Sequence, residues 1–238
     1  MNLNGRVTAV VVMVMAAVGL TSASVGRPPQ SRPIIDGAFI DKFLAPDQQP
    51  LVSYRALRQL TASTRGGRLQ ATVSAWTTLD PVKGFSYEIV SEEGSSIIRR
   101  KVLIAALEAE RKAIGSTDAD NASLTRANYE FLGLADEQDD LTRVDVKPRR
   151  KSMMLIDGSL FLRNDSADLV RVEGELSQRP SFWTRKVRIV REYERLDGVH
   201  VPVAMRSTAD VLIVGSSSFS MTYQYSQING RAVGAKPT

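Results

Sequence analysis

Within the stretch Phe219–Ile228 the chain alternates from Phe219 to Ser226: Phe219, Met221, Tyr223 and Tyr225 fall on one side, and Ser220, Thr222, Gln224 and Ser226 on the other. An extended backbone sends successive side chains to opposite faces, so this stretch is a strand with one apolar and one wet face. A helix would scatter the same residues around its circumference. A sheet built this way needs one side covered, and the remaining chain reads as material that completes the sheet and covers it.

Further stretches follow the same period or carry strand-forming residues: Tyr129–Leu134, Leu141–Val146, Ser152–Ile156, Leu160–Arg163, Leu169–Leu176, Val187–Tyr193, Val199–Ser207 and Val211–Val214. Nearer the N-terminus, Arg68–Thr78 sets Leu69, Ala71, Val73 and Ala75 against Gln70, Thr72, Ser74 and Trp76, and Phe85, Tyr87 and Ile89 continue the pattern. Asp80-Pro81 to Gly84, Asp157-Gly158 and Asp197-Gly198 are predicted turns, and the two Asp-Gly pairs suit tight hairpins in which both central residues take positive φ. Gly215-Ser216-Ser217-Ser218 also reads as a turn. Pro202 predicts a free edge or a bulge at its position. The count is about eleven strands, antiparallel by the hairpin spacing.

Three helices are predicted. Phe39/Phe43 and Ile40/Leu44 pair at i, i+4 in the first, which stops before Pro46. Asp47 then caps a second with the stripe Leu51, Tyr54, Leu57 and Leu60, ended by Gly66-Gly67. In the third, Val102/Ala106, Leu103/Leu107 and Ala109/Ala113 line up and Glu108 sits four before Lys112. This last helix interrupts the run of strands and is expected to lie across a face of the sheet.

Residues 1–23 have the form of a secretory signal peptide: a basic start through Arg6, the apolar run Val7–Leu20, and small residues at Thr21–Ser24. The run is short for a bilayer-spanning helix. Residues 24–35 read as a flexible leader, 36–230 as a single domain and 231–238 as a tail, which places the mature protein in a periplasm. Cysteine is absent and His200 is the only histidine, which excludes thiolate catalysis, thiolate zinc sites and multi-histidine metal sites. No cofactor is expected. Of the formal net charge of +5, Arg6 supplies one. The basic residues are scattered apart from Lys147–Lys151 and Arg185–Arg188, so an anionic membrane surface or envelope polymer fits an exported chain better than nucleic acid.

A search for catalytic groups assembles no reaction. His200 sits mid-strand between Val199 and Val201, and no G-x-S-x-G elbow accompanies it. Asp136-Glu137-Gln138-Asp139-Asp140 lacks the spacing and glycine of a calcium loop. Glu173 and Glu175 share a strand face, but Arg171 and Arg188 are placed to neutralise them. The chain is read as a non-enzyme.

The apolar face is the informative feature. So much antiparallel sheet under three helices leaves a hollow, and concave apolar sites take lipid-like ligands. Val73, Tyr87, Val187, Ile189, Tyr193, Phe219, Met221 and Tyr223 are the candidate lining. Arg191 interrupts the Val187–Ile189–Tyr193 face, where a guanidinium can meet a carbonyl, carboxylate or phosphate.

The order of these features resembles the periplasmic lipoprotein-carrier (lipoprotein localisation factor) superfamily. The residues that carry the likeness are Arg68-Leu69-Gln70-Ala71 after an N-terminal helix, the interrupting helix, and Pro148 followed by Met154-Leu155-Ile156-Asp157-Gly158-Ser159-Leu160-Phe161. Val187-Arg188-Ile189, Asp197-Gly198-Val199-His200-Val201-Pro202 and the closing aromatic strand complete it. The resemblance implies an α+β fold: an unclosed, half-open β-barrel of mostly antiparallel strands, covered by N-terminal and inserted helices. It also implies an apolar cavity for a lipid, an acyl chain or a lipoprotein anchor, and a lid helix held by a polar contact. Val102–Ile114 and Leu51–Leu60 would be the lids. The implied partners are lipid or lipoprotein acyl chains, with peripheral membrane contact. The alternative is an envelope-stress sensor or interaction module that grips an envelope membrane protein with the same fold.

Overall fold

The computed structural model describes residues 37–234, apart from 46, 48, 65, 115–121, 137–139, 180–183 and 212–214. The predicted signal peptide and leader lie outside the described residues, as does most of the acidic 136–140 stretch.

Helix α1 (Gly37–Leu44) leads into three strands, β1 (Tyr54–Thr64), β2 (Leu69–Asp80) and β3 (Gly84–Gly94). A helical segment follows, made of α2 (Ser96–Ile98), a π-helical turn (Arg99–Ile104) and α3 (Ala105–Ala113). Then come β4 (Tyr129–Asp136), β5 (Leu141–Pro148), β6 (Ile156–Arg163), β7 (Leu169–Leu176), β8 (Thr184–Leu196), β9 (Val199–Val211), β10 (Gly215–Ile228) and the two-residue β11 (Arg231–Ala232). The strands form one antiparallel sheet in the order β3-β2-β1-β10-β9-β8-β7-β6-β5-β4, with β11 on β10. The end strands β3 and β4 do not pair, so the sheet is an open barrel.

The register aligns inward side chains in rows that cross the whole sheet. One row runs Val73, Leu60, Met221, Met205, Arg191, Val172, Leu160 and Val144 from β2 to β5. A neighbouring row runs Ala71, Ala62, Phe219, Ser207, Ile189, Gly174, Gly158, Val146 and Phe131. Gly158 and Gly174 face each other so closely that a Cβ on Gly158 would lie 2.1 Å from the Glu173 carbonyl oxygen and 2.5 Å from the Gly174 Cα. Two side-chain-free residues at this point let β6 and β7 approach where the sheet folds inward.

The two helical pieces cover opposite ends of the open sheet. The inserted segment packs on β1, β2 and β3 through the buried residues Ile98, Leu103, Ala106 and Leu107. Helix α1 lies towards β4, where Phe43 meets Phe131 edge to face at 6.4 Å and Lys42 donates to the Asp165 carbonyl.

Three sequence readings are corrected. Leu51–Leu60 is not a helix: Tyr54, Ala56, Arg58, Leu60 and Ala62 point inward from β1, and Leu57 faces outward. The i, i+3 stripe read there coincides with a period-two pattern that Arg58 interrupts. Asp157-Gly158 is not a hairpin turn but the interior of β6, so Ser152–Ile156 and Leu160–Arg163 are not separate strands flanking it. Gly215–Ser218 is the start of β10, where Ser218 and Ser217 share hydroxyl hydrogen bonds with Ser63 and Thr64. Among the described residues the strands number eleven, as expected; β1 and β11 were not foreseen, the expected strands Ser152–Ile156 and Leu160–Arg163 give the single β6, and most of the expected Val211–Val214 strand lies outside the described residues. Asp197-Gly198 is the tight β8–β9 turn, with φ of 48° and 84°. Pro202 sits beside a bulge in the β8–β9 ladder and past the end of the β9–β10 pairing.

Candidate functional site

The inner surface under the inserted helix is built around an ion pair. Arg58 projects from the middle of β1 into the apolar interior, where its exposure is 0 %. It reaches Glu110 of α3, itself 2 % exposed, with Nη1 donating to Oε2 at 2.6 Å and Nη2 to Oε1 at 2.9 Å. Nη2 also donates to the Tyr54 hydroxyl. The guanidinium carbon lies 4.5 Å from the Tyr223 ring centre, 5.2 Å from Phe85 and 5.7 Å from Tyr54. A fork-to-fork pair with aromatic faces around it is the arrangement that best tolerates a cation in an apolar setting.

The electrostatics follow from this packing. Burial pulls the Arg58 pKa down, but the Glu110 carboxylate and the Tyr54 and Tyr223 oxygens outweigh it, so the guanidinium is held firmly protonated. Burial pushes the Tyr223 hydroxyl up to about 12 and the Tyr54 hydroxyl higher still, so both stay neutral beside the pair.

A second, half-exposed contact joins the same two elements at the rim. Tyr87 of β3 donates to Glu108 of α3, which also accepts from Arg111 at 2.6 Å. Burial and this hydrogen bond raise Tyr87 to about 12. The inserted helix is therefore tied to the sheet by two polar contacts two residues apart along α3, inside and at the edge of an otherwise apolar seam.

The candidate lining residues distribute unevenly. Val73, Met221 and Ile189 are fully buried, and Phe219 and Tyr193 nearly so. Tyr223 neighbours Arg58 across the β1–β10 ladder. Val187, Arg191 and Tyr223 keep partial exposure between the two helical covers, and Tyr87 does so at the rim. Arg191 lies in the inner row between Val172 and Met205, and its charge acts on Tyr129 and Tyr223. Tyr193 stands apart, stacked on His200 at 5.2 Å beyond the β8–β9 bulge. His200 bonds the Leu169 carbonyl through Nε2 at 2.6 Å, and burial lowers its pKa.

Arg58, Glu110 and Tyr54 are the residues that sequence reasoning missed. A signal was present: Leu103, Ala106 or Leu107, and Glu110 recur at i, i+3 or i+4, and i+7, which puts a carboxylate on the apolar stripe of a helix. Such a carboxylate needs a buried cation as partner. Among the described residues no cluster of His, Cys, Asp or Glu could hold a metal ion, and no helix is long and apolar enough to cross a membrane.

No protein-family model and no curated protein matches the chain. Among solved structures it is similar to a LolA superfamily protein from Nitrosomonas europaea, at 11% identity over 86% of this chain and 96% of that one, with a TM-score of 0.38. It is also similar to a DUF1329 family protein from Desulfovibrio piger, at 13% identity over 84% and 94% of the two chains, with a TM-score of 0.37.

Proposed function

We propose that this protein is an exported, non-catalytic binding protein that holds a lipid, an acyl chain or a lipoprotein anchor between its open sheet and its inserted helix. The buried Arg58–Glu110 pair carries this reading. An ion pair in an apolar interior is a poor device for stability, because removing two charges from water costs about what their attraction returns. It is a good device for a contact that must be made and broken, since both groups regain water when the helix lifts away.

The energetics suit a lipid. Lifting the helix uncovers Leu103, Leu107, Val73 and Leu60, and an acyl chain laid against the same surface offsets that exposure. Ten buried methylenes contribute about 8 kcal/mol. The π-helical turn Arg99–Ile104 sits where α2 enters α3 and provides a natural point for the segment to bend. The half-exposed Val187, Arg191 and Tyr223 then mark the way in, with lipid as the partner, an apolar chain inward and its polar end towards Arg191.

Native mass spectrometry of the protein purified from an exporting host tests this. The expected spectrum carries an adduct of lipid mass, and the delipidated protein binds a fluorescent fatty acid with one-to-one stoichiometry. Delipidated protein that binds no acyl probe refutes the reading.

A further inference from the structure

The outer face of β1–β3, on the opposite side of the sheet from the inserted helix, carries a cleft that the lipid reading leaves unused. It has a volume of about 290 Å³ and is lined by Arg55, Trp76, Thr78, Ser86 and Glu88, with Tyr87, whose side chain turns to the inserted helix, at its border. The strand register sets its outward residues in two adjoining rows: Arg55, Thr78 and Ser86 in one, Leu57, Trp76 and Glu88 in the other. Trp76 is half-buried, and the Arg55 guanidinium lies 4.6 Å from its ring centre. A bulge in the β1–β10 ladder falls between Arg55 and Ala56, and bulges re-aim the side chains beside them.

The charges decide what such a cleft can take. Among the described residues, no ion pair engages Arg55 or Glu88. Stacking on the indole holds the Arg55 donors in place, Glu88 offers only acceptors, and Thr78 and Ser86 supply hydroxyls that do both. An anion would be repelled by Glu88 and a cation by Arg55. A neutral polyhydroxyl ring satisfies both at once, because each hydroxyl donates to one and accepts from the other. We infer that the Arg55–Trp76–Glu88 cleft is a saccharide-binding site on the solvent face of the sheet.

The chain has two tryptophans, so Trp183→Phe leaves Trp76 as the sole indole reporter. Maltotriose and tri-N-acetylchitotriose are titrated into the full chain while its fluorescence is followed. Calorimetry on the unaltered protein reads the same constant without the substitution. At least one sugar is expected to give a saturable change with a Kd of about 1 mM. Arg55→Ala and Glu88→Gln should each weaken it about tenfold with the melting temperature unchanged, since both side chains are on the solvent face. No saturable response to either sugar by about 50 mM overturns the proposal, as does a response that both variants leave intact. Binding of glycerophosphoethanolamine in place of the sugars also overturns it, because a zwitterion would then be the ligand.

Discussion

Removing one member of the Arg58–Glu110 pair should be far more costly than removing both. Glu110→Leu leaves a guanidinium at 0 % exposure without its counter-charge, and arginine cannot shed its proton to escape the penalty. The expected loss is about 5 kcal/mol, the upper end for a broken buried pair. Arg58→Met leaves the Glu110 carboxylate instead, which can take up a proton and become neutral. Its loss should be nearer 3 kcal/mol and should shrink as the pH is lowered. The double variant has no buried charge, and methionine and leucine fill much of the same volume. The Tyr54 hydroxyl and, more weakly, the Met221 sulfur lose a donor, so the double should return to within about 2 kcal/mol of the parent. Urea unfolding followed by circular dichroism reads all three midpoints, and losses of this size are a large share of the 5–15 kcal/mol (about) that a domain has in total. Single losses below about 1 kcal/mol, the value of a solvated pair, would show that water reaches the site. A double variant no better than the worse single would show that the charges themselves are not what the partner leaves stranded. Either result refutes the reasoning.

Three further outcomes are expected. Gly158→Ala places a Cβ 2.1 Å from the Glu173 carbonyl, so β6 and β7 must separate; the thermal midpoint should fall by the equivalent of about 1–3 kcal/mol or more, and an unchanged midpoint refutes the close approach. His200 has a folded pKa lowered by burial, so its contribution is complete above the unfolded value of about 6.5 and is lost as the pH falls towards the folded one; stability measured from pH 7.5 to 5.5 (about) should decline less in His200→Gln than in the parent. Asp168 is held below the ordinary carboxylate range by its hydrogen bond from Arg195; the cost of Asp168→Asn should therefore be full near neutral pH and vanish as the pH drops through the folded pKa, below about 4, and a cost independent of pH counts against the contact.

How much of this was legible beforehand follows from the range of the interactions involved. Strands β2, β3, β7 and β10 were readable because each obeys a period of two within its own residues, and Asp197-Gly198 because a tight turn is a local event. Strand β1 was not, because its inward set includes Arg58, and an inward arginine makes sense only beside a glutamate fifty-two positions away. The same reason hid the centre of the candidate site. Val73, Ile189 and Met221 were picked as apolar residues on the right face, but whether such a residue lines an opening or lies sealed beneath the helix depends on where that helix lands. The cleft at Trp76 was equally out of reach, since Arg55, Trp76 and Glu88 become neighbours only through the register of three strands.

Local chemistry by itself determined that this chain forms a long antiparallel sheet with one apolar face, interrupted by a helix, and with neither the thiols nor the histidines for most catalysis or metal binding. The tertiary structure alone decided where that helix sits, which charge it is tied to and where the sheet stays open. Alternation and turn signals act over a few residues, whereas a buried charge is tolerable only next to a partner that the whole fold has brought to it.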